Sequence, residues 1–223
     1  MTVDTTIATL LRESDLFRSF PVEALERVLA AAALIDYRRN DLLFAEGDEA
    51  DTLFVMQSGR IAILKRSQDG RESMLALMEE GDLFGEMPLF GEEGRSANAK
   101  ALEPARVVTV PYPAVRAELD RDPALLWGVV GLLVTRLRVT NAGLADSMFL
   151  DVTGRTAKRL LELSGGADEF ILPVTQEELA GMVGASRERV NKALAAFLRL
   201  GWLEQADRKY RIRDRVQLER RAT

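Results

Sequence analysis

Apolar positions recur at intervals of three and four through "TTIATLLRES" and "PVEALERVLAAAALI". This spacing predicts helix over residues 5–35, with Pro21 suited to a first helical turn. From Tyr37 the rhythm shortens. The stretch "DLLFAEGDEADTLFVMQSGRIAILKRSQDGRESMLALMEEGDLFGE" breaks into short apolar runs divided by Gly47, Gly59, Gly70, Gly81 and Gly85. "GRIAILK" and "RESMLALM" alternate as strands do, and Asp69-Gly70 is a hairpin signal. Strands this short and this evenly spaced predict a small antiparallel roll or barrel. "KALEPARVVTVP" reads as its last strand, before a change at Pro111 and Pro113.

Residues 113 to 149 return to the helical period, with a break expected near Pro123. Leu126, Leu133, Thr140 and Ser147 are spaced by seven, and so are Val130, Leu137 and Leu144, each four after a member of the first set. The result is a heptad seam about three repeats long. Such a seam packs either against its own domain or against a second copy in a parallel coil. Arg136 and Arg138 flank it. Thr140 is polar at an otherwise apolar position, which costs stability and calls for a reason such as register or a ligand.

A domain boundary is expected between Phe149 and Thr153, with Thr153 capping a helix through "GRTAKRLLELS". The remainder reads as three helices and a hairpin. Its most specific stretch is "VTQEELAGMVGASRERVNKALAAFLRLGWLE". Thr175 to Glu178 forms a capping box. Leu179, Ala180 and Val183 give one apolar face, Gly184 the turn, and Ser186 a second cap. Val190, Leu194, Phe197 and Leu198 give the next apolar face. Helix, short glycine turn and helix is the architecture that seats its second helix in the DNA major groove.

That second helix exposes Arg187 and Glu188, with Lys192 on the same face four residues later. Arg and Lys suit the O6 and N7 acceptors of guanine, and Glu accepts from cytosine N4. "GWLEQADRKYRIRD" then predicts two strands around a turn, a wing with cations at Arg208, Lys209, Arg211 and Arg213 placed to meet phosphate.

Charge supports this division of labour. The formal net charge is −5. Residues 151–223 carry 14 Lys and Arg against 11 Asp and Glu, and residues 1–150 carry the remaining 16 against 24. A mildly basic C-terminal third therefore sits on an acidic body, which hints at two partners. The chain has no Cys and no His. That excludes disulfides, thiolate metal sites and a cysteine nucleophile, and removes the commonest general base and haem ligand. There is no Walker loop and no nucleophile–base pair, so no enzyme is expected. The N-terminus lacks a basic start and is broken by Arg12, Glu13 and Asp15, and the longest apolar run, "ALLWGVVGLLV", is too short for a bilayer. A cytoplasmic protein with no membrane partner is the expectation.

One loop, "GEMPLFGEEGRSA", brings Glu86, Arg95 and Ser96 together among glycines. With the roll before it, the long helix ending "RVTN", the hinge "FLDVTGR", and "VTQEELA" with "GASRERVNKAL" after it, the chain resembles the Crp/Fnr family of bacterial transcription regulators along nearly its whole length. The resemblance implies an α+β architecture. An N-terminal jelly-roll cyclic-nucleotide-binding domain with its helices spans 1–112, a dimerisation helix and hinge span 113–150, and a winged helix-turn-helix spans 151–223.

It also implies residue roles. Gly85, Glu86, Met87, Arg95 and Ser96 form a phosphate cassette. Arg95 neutralises a cyclic phosphate, backbone N–H groups near Gly85 and the Ser96 hydroxyl hydrogen-bond it, and Glu86 accepts from a ribose 2′-hydroxyl. Thr140 and Asn141 meet the adenine. Thr175, Gln176, Ser186, Arg187, Glu188, Asn191 and Lys192 lie at the DNA. Leu126, Val130, Leu133, Leu137, Thr140 and Leu144 join two protomers. The expected effector is cyclic AMP with no metal, and the expected partners are double-stranded DNA, a second copy and RNA polymerase. Two departures are visible. Lys192 stands where the family often has Arg, and Lys lacks bidentate geometry. Pro88 removes one N–H from the cassette. The alternative expectation is the same fold answering to another small ligand, or binding DNA constitutively; missing Cys and His disfavour the iron–sulfur and haem-sensing branches.

Overall fold

A computed structural model of the chain describes residues 5–67, 72–91, 94–207 and 209–223. The hairpin signal at Asp69-Gly70 and the wing residue Arg208 lie outside them. By its contacts the chain divides into two compact units, Met1–Arg71 with Leu75–Leu137, and Glu72–Met74 with Arg138–Thr223.

The first unit begins with α1 (Thr5–Glu13), a 3-10 turn at Phe17–Ser19 and α2 (Val22–Ala31). Eight strands follow: β1 (Ala33–Tyr37), β2 (Leu42–Phe44), β3 (Thr52–Ser58), β4 (Ile61–Arg66), β5 (Glu72–Met78), β6 (Leu83–Phe84), β7 (Asn98–Ala101) and β8 (Ala105–Pro111). A single helical turn, α3 (Met87–Phe90), lies between β6 and β7, and α4 (Tyr112–Arg121) follows β8. The strands form two four-stranded sheets, in the orders β1-β8-β3-β6 and β2-β7-β4-β5.

The helix expected to run to residue 35 stops at Ala31. Ala32 is extended, and Ala33 to Tyr37 pair antiparallel with Thr109 to Ala105 of β8. The ladder supplies backbone partners that a continued helix would have had to find within itself. Pro21 is the N-cap of α2 rather than a residue of its first turn. "KALEPARVVTVP" resolves into two strands, β7 and β8.

Strand β3 explains why its sequence reads as a continuous apolar run. Successive side chains point to opposite faces. Leu53 and Val55 pack with Leu11, Phe17, Val28 and Val115 of the helical layer, whereas Phe54 and Met56 pack inside the roll with Ile61, Phe84 and Val107. Both faces are buried, so no polar alternation survives. Each such side chain contributes about 1.5–3 kcal/mol.

A 3-10 turn at Pro123–Leu125 leads into α5 (Leu126–Phe149). Val129 and Leu132 are buried in the first unit's core. By length and composition, Pro123–Phe149 is apolar enough to cross a membrane, with an 18-residue stretch of mean hydropathy 1.3. The expectation drawn from the eleven-residue run considered only uninterrupted apolar residues.

The second unit contains α6 (Val152–Leu163), β9 (Glu169–Ile171), α7 (Gln176–Val183), α8 (Arg187–Arg199), β10 (Leu203–Ala206), β11 (Lys209–Ile212) and α9 (Arg215–Arg221). The cap of α6 is Asp151, whose carboxylate accepts from the Gly154 N–H at 2.8 Å, and not Thr153. Strand β9 adds a third member to the expected hairpin, in the order β10-β11-β9, and α9 is an additional helix. Val190, Ala193, Leu194 and Phe197 form the buried stripe of α8; Leu198 lies outside it.

Candidate functional site

The cassette starts where β6 ends. Gly85 has φ +73. A Cβ there would lie 2.8 Å from Nη1 of Arg95 and 3.0 Å from Cδ2 of Phe54, so the position needs glycine for both its conformation and its space. Glu86 then occupies the N-cap position of the short helix α3, without a side-chain capping bond, and Pro88 lies in its first turn. Gly85, Glu86, Met87, Arg95 and Ser96 are brought together here.

Arg95 is only 6% exposed. Its Nη1 donates to the Gly85 carbonyl at 2.9 Å and to the Tyr112 hydroxyl at 3.2 Å, and its Nη2 donates to the Thr52 carbonyl at 2.8 Å. The guanidinium lies over the Phe44 ring at 4.3 Å and the Phe54 ring at 5.3 Å from their centroids. Its Nε is buried and has no hydrogen-bond partner. The Tyr112 hydroxyl also donates to the Gly85 carbonyl, so that carbonyl is engaged from two sides. A cation is thus held by carbonyls and aromatic faces, with one donor left over and, among the described residues, no ion pair to a carboxylate.

Glu86 is 5% exposed. Among the described residues it forms no ion pair with Arg95. Its nearest cation is Arg136 of α5, whose Nε stands 3.8 Å away and which also donates to the Leu83 carbonyl. Burial raises the Glu86 pKa, and Arg136, a backbone hydrogen bond and Arg95 oppose that rise. Ser96 is exposed, its hydroxyl 3.6 Å from the Met87 sulfur. The donors left for an anion are the Arg95 Nε, which is closed to solvent in the free protein, and the exposed Ser96 hydroxyl; the acceptor left for a hydroxyl is the Glu86 carboxylate.

Thr140 and Asn141 are exposed on the part of α5 that belongs to the second unit. Leu126, Val130, Leu133, Leu137 and Leu144 are 44–59% exposed. One face of α5 is therefore anchored by Val129 and Leu132, and the heptad row is bare in the single chain. No group of three or more acidic side chains that could hold a metal occurs among the described residues.

In the second unit, the Thr175 hydroxyl accepts from the Glu178 N–H at 3.2 Å and the Glu178 carboxylate accepts from the Thr175 N–H at 2.6 Å. Gly184 closes α7 in the left-handed region, φ 66 and ψ 43. Ser186 caps α8. Beyond the cap, Arg187, Glu188, Arg189 and Lys192 are exposed, and Lys192 donates to Glu188 at 2.7 Å. That hydrogen bond lowers the Glu188 pKa. Asn191 is half-buried, with its Oδ1 unpartnered, and Gln176 lies beside Tyr210.

The wing cations among the described residues are engaged within the unit. Lys209 reaches Glu169 at 3.2 Å, Arg211 pairs with the same carboxylate, and Arg213 meets Glu204 at 2.8 Å. Sequence reasoning missed Tyr112, Phe44 and Phe54 around Arg95, and Arg136 beside Glu86. None lies near the cassette in the chain. Arg189, in contrast, was visible in "SRERVNK" and had simply been given no role.

Comparison with known proteins covers both units. Residues 34–122 match the cyclic nucleotide-binding domain family, and residues 154–221 match the Crp-like helix-turn-helix domain family. The chain is similar to the CRP-like cAMP-activated global transcriptional regulator of Mycobacterium tuberculosis, 37% identical over 220 residues, covering 96% of this chain and 98% of that protein. It is similar to the cAMP-activated global transcriptional regulator Vfr of Pseudomonas aeruginosa, 33% identical over 78% of this chain and 86% of that one. Among solved structures, the c-di-GMP responsive global regulator CLP of Xanthomonas campestris superposes with a TM-score of 0.74 at 27% identity, covering 86% of this chain and 99% of that one.

Proposed function

The chain belongs to the Crp/Fnr family of DNA-binding transcription regulators, which are not enzymes, and on that premise we propose that it is a cyclic-AMP-responsive homodimer acting on palindromic sites with TGTGA-like halves. The observation that carries the ligand reading is the buried, unpartnered Nε of Arg95. An unsatisfied buried donor on a cation costs free energy, and a monoanionic cyclic phosphate relieves it through a charge-assisted bond. Phe44 and Phe54 beneath the guanidinium, and the Gly85 and Thr52 carbonyls at its edges, hold it in place before the ligand arrives. Glu86 would accept from the ribose 2′-hydroxyl, which a 2′-deoxy nucleotide lacks. Thr140 and Asn141 would meet the base.

The bare row Leu126, Val130, Leu133, Leu137, Thr140 and Leu144 is where two protomers would join. The ligand then biases one dimer geometry, through the hinge at Phe149–Val152, toward the 34–36 Å half-site spacing of successive major grooves. A hundredfold ligand preference for that geometry is about 2.7 kcal/mol. On the DNA, Arg187 and Lys192 would read guanine and Glu188 cytosine. RNA polymerase is the expected protein partner, and the cytoplasm the expected compartment.

Titration calorimetry with cyclic AMP, cyclic GMP, c-di-GMP and 2-oxoglutarate tests the effector, and the similarity to a c-di-GMP responsive regulator makes that third ligand the pointed comparison. Cyclic AMP is expected to bind tightest. A gel shift on a TGTGA palindrome, with and without nucleotide, tests the readout. Tighter binding of another ligand, or equal DNA binding with and without cyclic AMP, overturns the reading.

A further inference from the structure

The recognition helix carries one cation that the reading above leaves without work. With 3.6 residues per turn, Arg187 and Arg189 project about 100° to either side of Glu188, and Lys192 only about 40° from it. The buried stripe of Val190, Ala193, Leu194 and Phe197 occupies the opposite side. Glu188 and Lys192 therefore form the central row of the exposed face, with Arg187 and Arg189 on its two flanks.

The flanking pair differs from every cation of the wing whose placement is described. Lys209, Arg211 and Arg213 each have a carboxylate partner in Glu169 or Glu204, as Arg215 at the start of α9 has in Asp168. The central Lys192 is tied to Glu188. Among the described residues, the Arg187 and Arg189 side chains have no ion pair. The Arg189 backbone N–H donates to the Ser186 cap at 3.4 Å, which fixes its position in the first turn.

A helix with its side chains is about 10–12 Å across and the major groove about 12 Å wide, so flank residues stand within reach of the groove walls as well as of the base edges. The walls are phosphate backbone. We propose that Arg189 is a sequence-independent phosphate contact, gripping the strand on the side of the groove opposite Arg187. This inference rests on α8 entering the major groove, and not on the identity of the palindrome.

The test measures affinity for a TGTGA palindrome and for a random duplex of equal length, at salt concentrations from about 50 to 200 mM, for the wild type, Arg189→Ala and Arg189→Lys. Each phosphate contact contributes about 0.9 to the slope of log affinity against log salt. Arg189→Ala is expected to make that slope shallower by about 0.9 per protomer and to weaken both duplexes by the same factor. Arg189→Lys is expected to keep the wild-type slope. An unchanged slope in Arg189→Ala overturns the proposal, and so does a loss confined to the palindrome, which would make Arg189 a base reader. If the wild type shows no preference for the palindrome, the base-reading assignment fails while the random duplex still decides the role of Arg189.

Discussion

The cassette of the first unit and the recognition helix of the second use the same side-chain chemistry in opposite surroundings. Each places a glutamate close to long cations. In the cassette, Glu86 and Arg95 are 5% and 6% exposed. On α8, the side chains of Glu188 and Lys192 are 76% and 74% exposed. The glutamates consequently shift in opposite directions: burial raises Glu86, and the hydrogen bond from Lys192 lowers Glu188. In the cassette the desolvation of charge is already present in the free protein, so a small ligand needs only to complete it. On the helix, charges remain hydrated and mobile, which suits a partner that must be sampled along many sequences before one is held.

The largest effect should follow from removing the cassette cation. Arg95→Ala eliminates the spare Nε donor and frees the Gly85 and Thr52 carbonyls. Calorimetry is expected to show cyclic AMP affinity reduced at least about 100-fold, about 2.7 kcal/mol. Salt-dependent binding of a random duplex without nucleotide should not change, because no charge on α8 is touched. A variant that kept its nucleotide affinity would show that the phosphate is held elsewhere.

A smaller effect is expected from pH. The ionised Glu86 is the stronger acceptor for a 2′-hydroxyl, and burial holds the Glu86 pKa above the ordinary carboxylate value. Glu86 therefore takes up a proton before exposed carboxylates do as pH falls, and a hydroxyl donating to the carboxylate would favour its release. Affinity for cyclic AMP should fall as pH falls through the raised pKa, beginning above the range where exposed carboxylates titrate. Glu86→Gln should bind more weakly at neutral pH and lose this dependence. Nucleotide affinity titrated from pH 8 downward for both proteins checks it; parallel curves would rule out Glu86 as the titrating group. Glu118 serves as the contrasting acid. Arg27 and Arg121 hydrogen-bond its carboxylate and lower its pKa to about 2, so its contribution to stability persists until far more acidic pH and is lost as pH falls toward that value.

The same contrast governs what could be read from the chain. The helix-turn-helix was legible because its signals are local. The Thr175–Glu178 box spans four residues, and Gly184 and Ser186 mark the turn. The roll was legible as a class of fold from its glycine-divided runs. What surrounds Arg95 was not, because Phe44, Thr52, Phe54 and Tyr112 come from β2, β3 and the start of α4, and their meeting depends on sheet pairing between distant segments. Arg136 read as a flank of the heptad seam and instead approaches Glu86, 50 positions earlier in the chain. Asp151 replaced Thr153 as a cap within two residues, the ordinary scale of boundary error. The strand Glu169–Ile171 is three residues long and pairs only through β11, so no periodicity announces it.

The smallest effect belongs to the Glu188–Lys192 pair, and its size is what separates a reading role from a structural one. The pair is an exposed i,i+4 contact of 2.7 Å in the stabilising order, Glu before Lys. Exposed helical pairs of this kind contribute only about 0.3–0.5 kcal/mol. Glu188→Ala should therefore lower thermal stability by no more than a degree or two, partly offset by the higher helix propensity of alanine. If Glu188 accepts from cytosine N4, the same variant should still change which base is preferred at one position of each half-site, since a polar base contact is worth more than the surface pair. Melting curves and competition binding on single-base variants of the palindrome measure the two quantities on one protein. A stable variant with altered base preference places Glu188 at the DNA. A stable variant that loses affinity equally for every sequence makes the carboxylate an electrostatic element of the helix surface, with no part in reading the site.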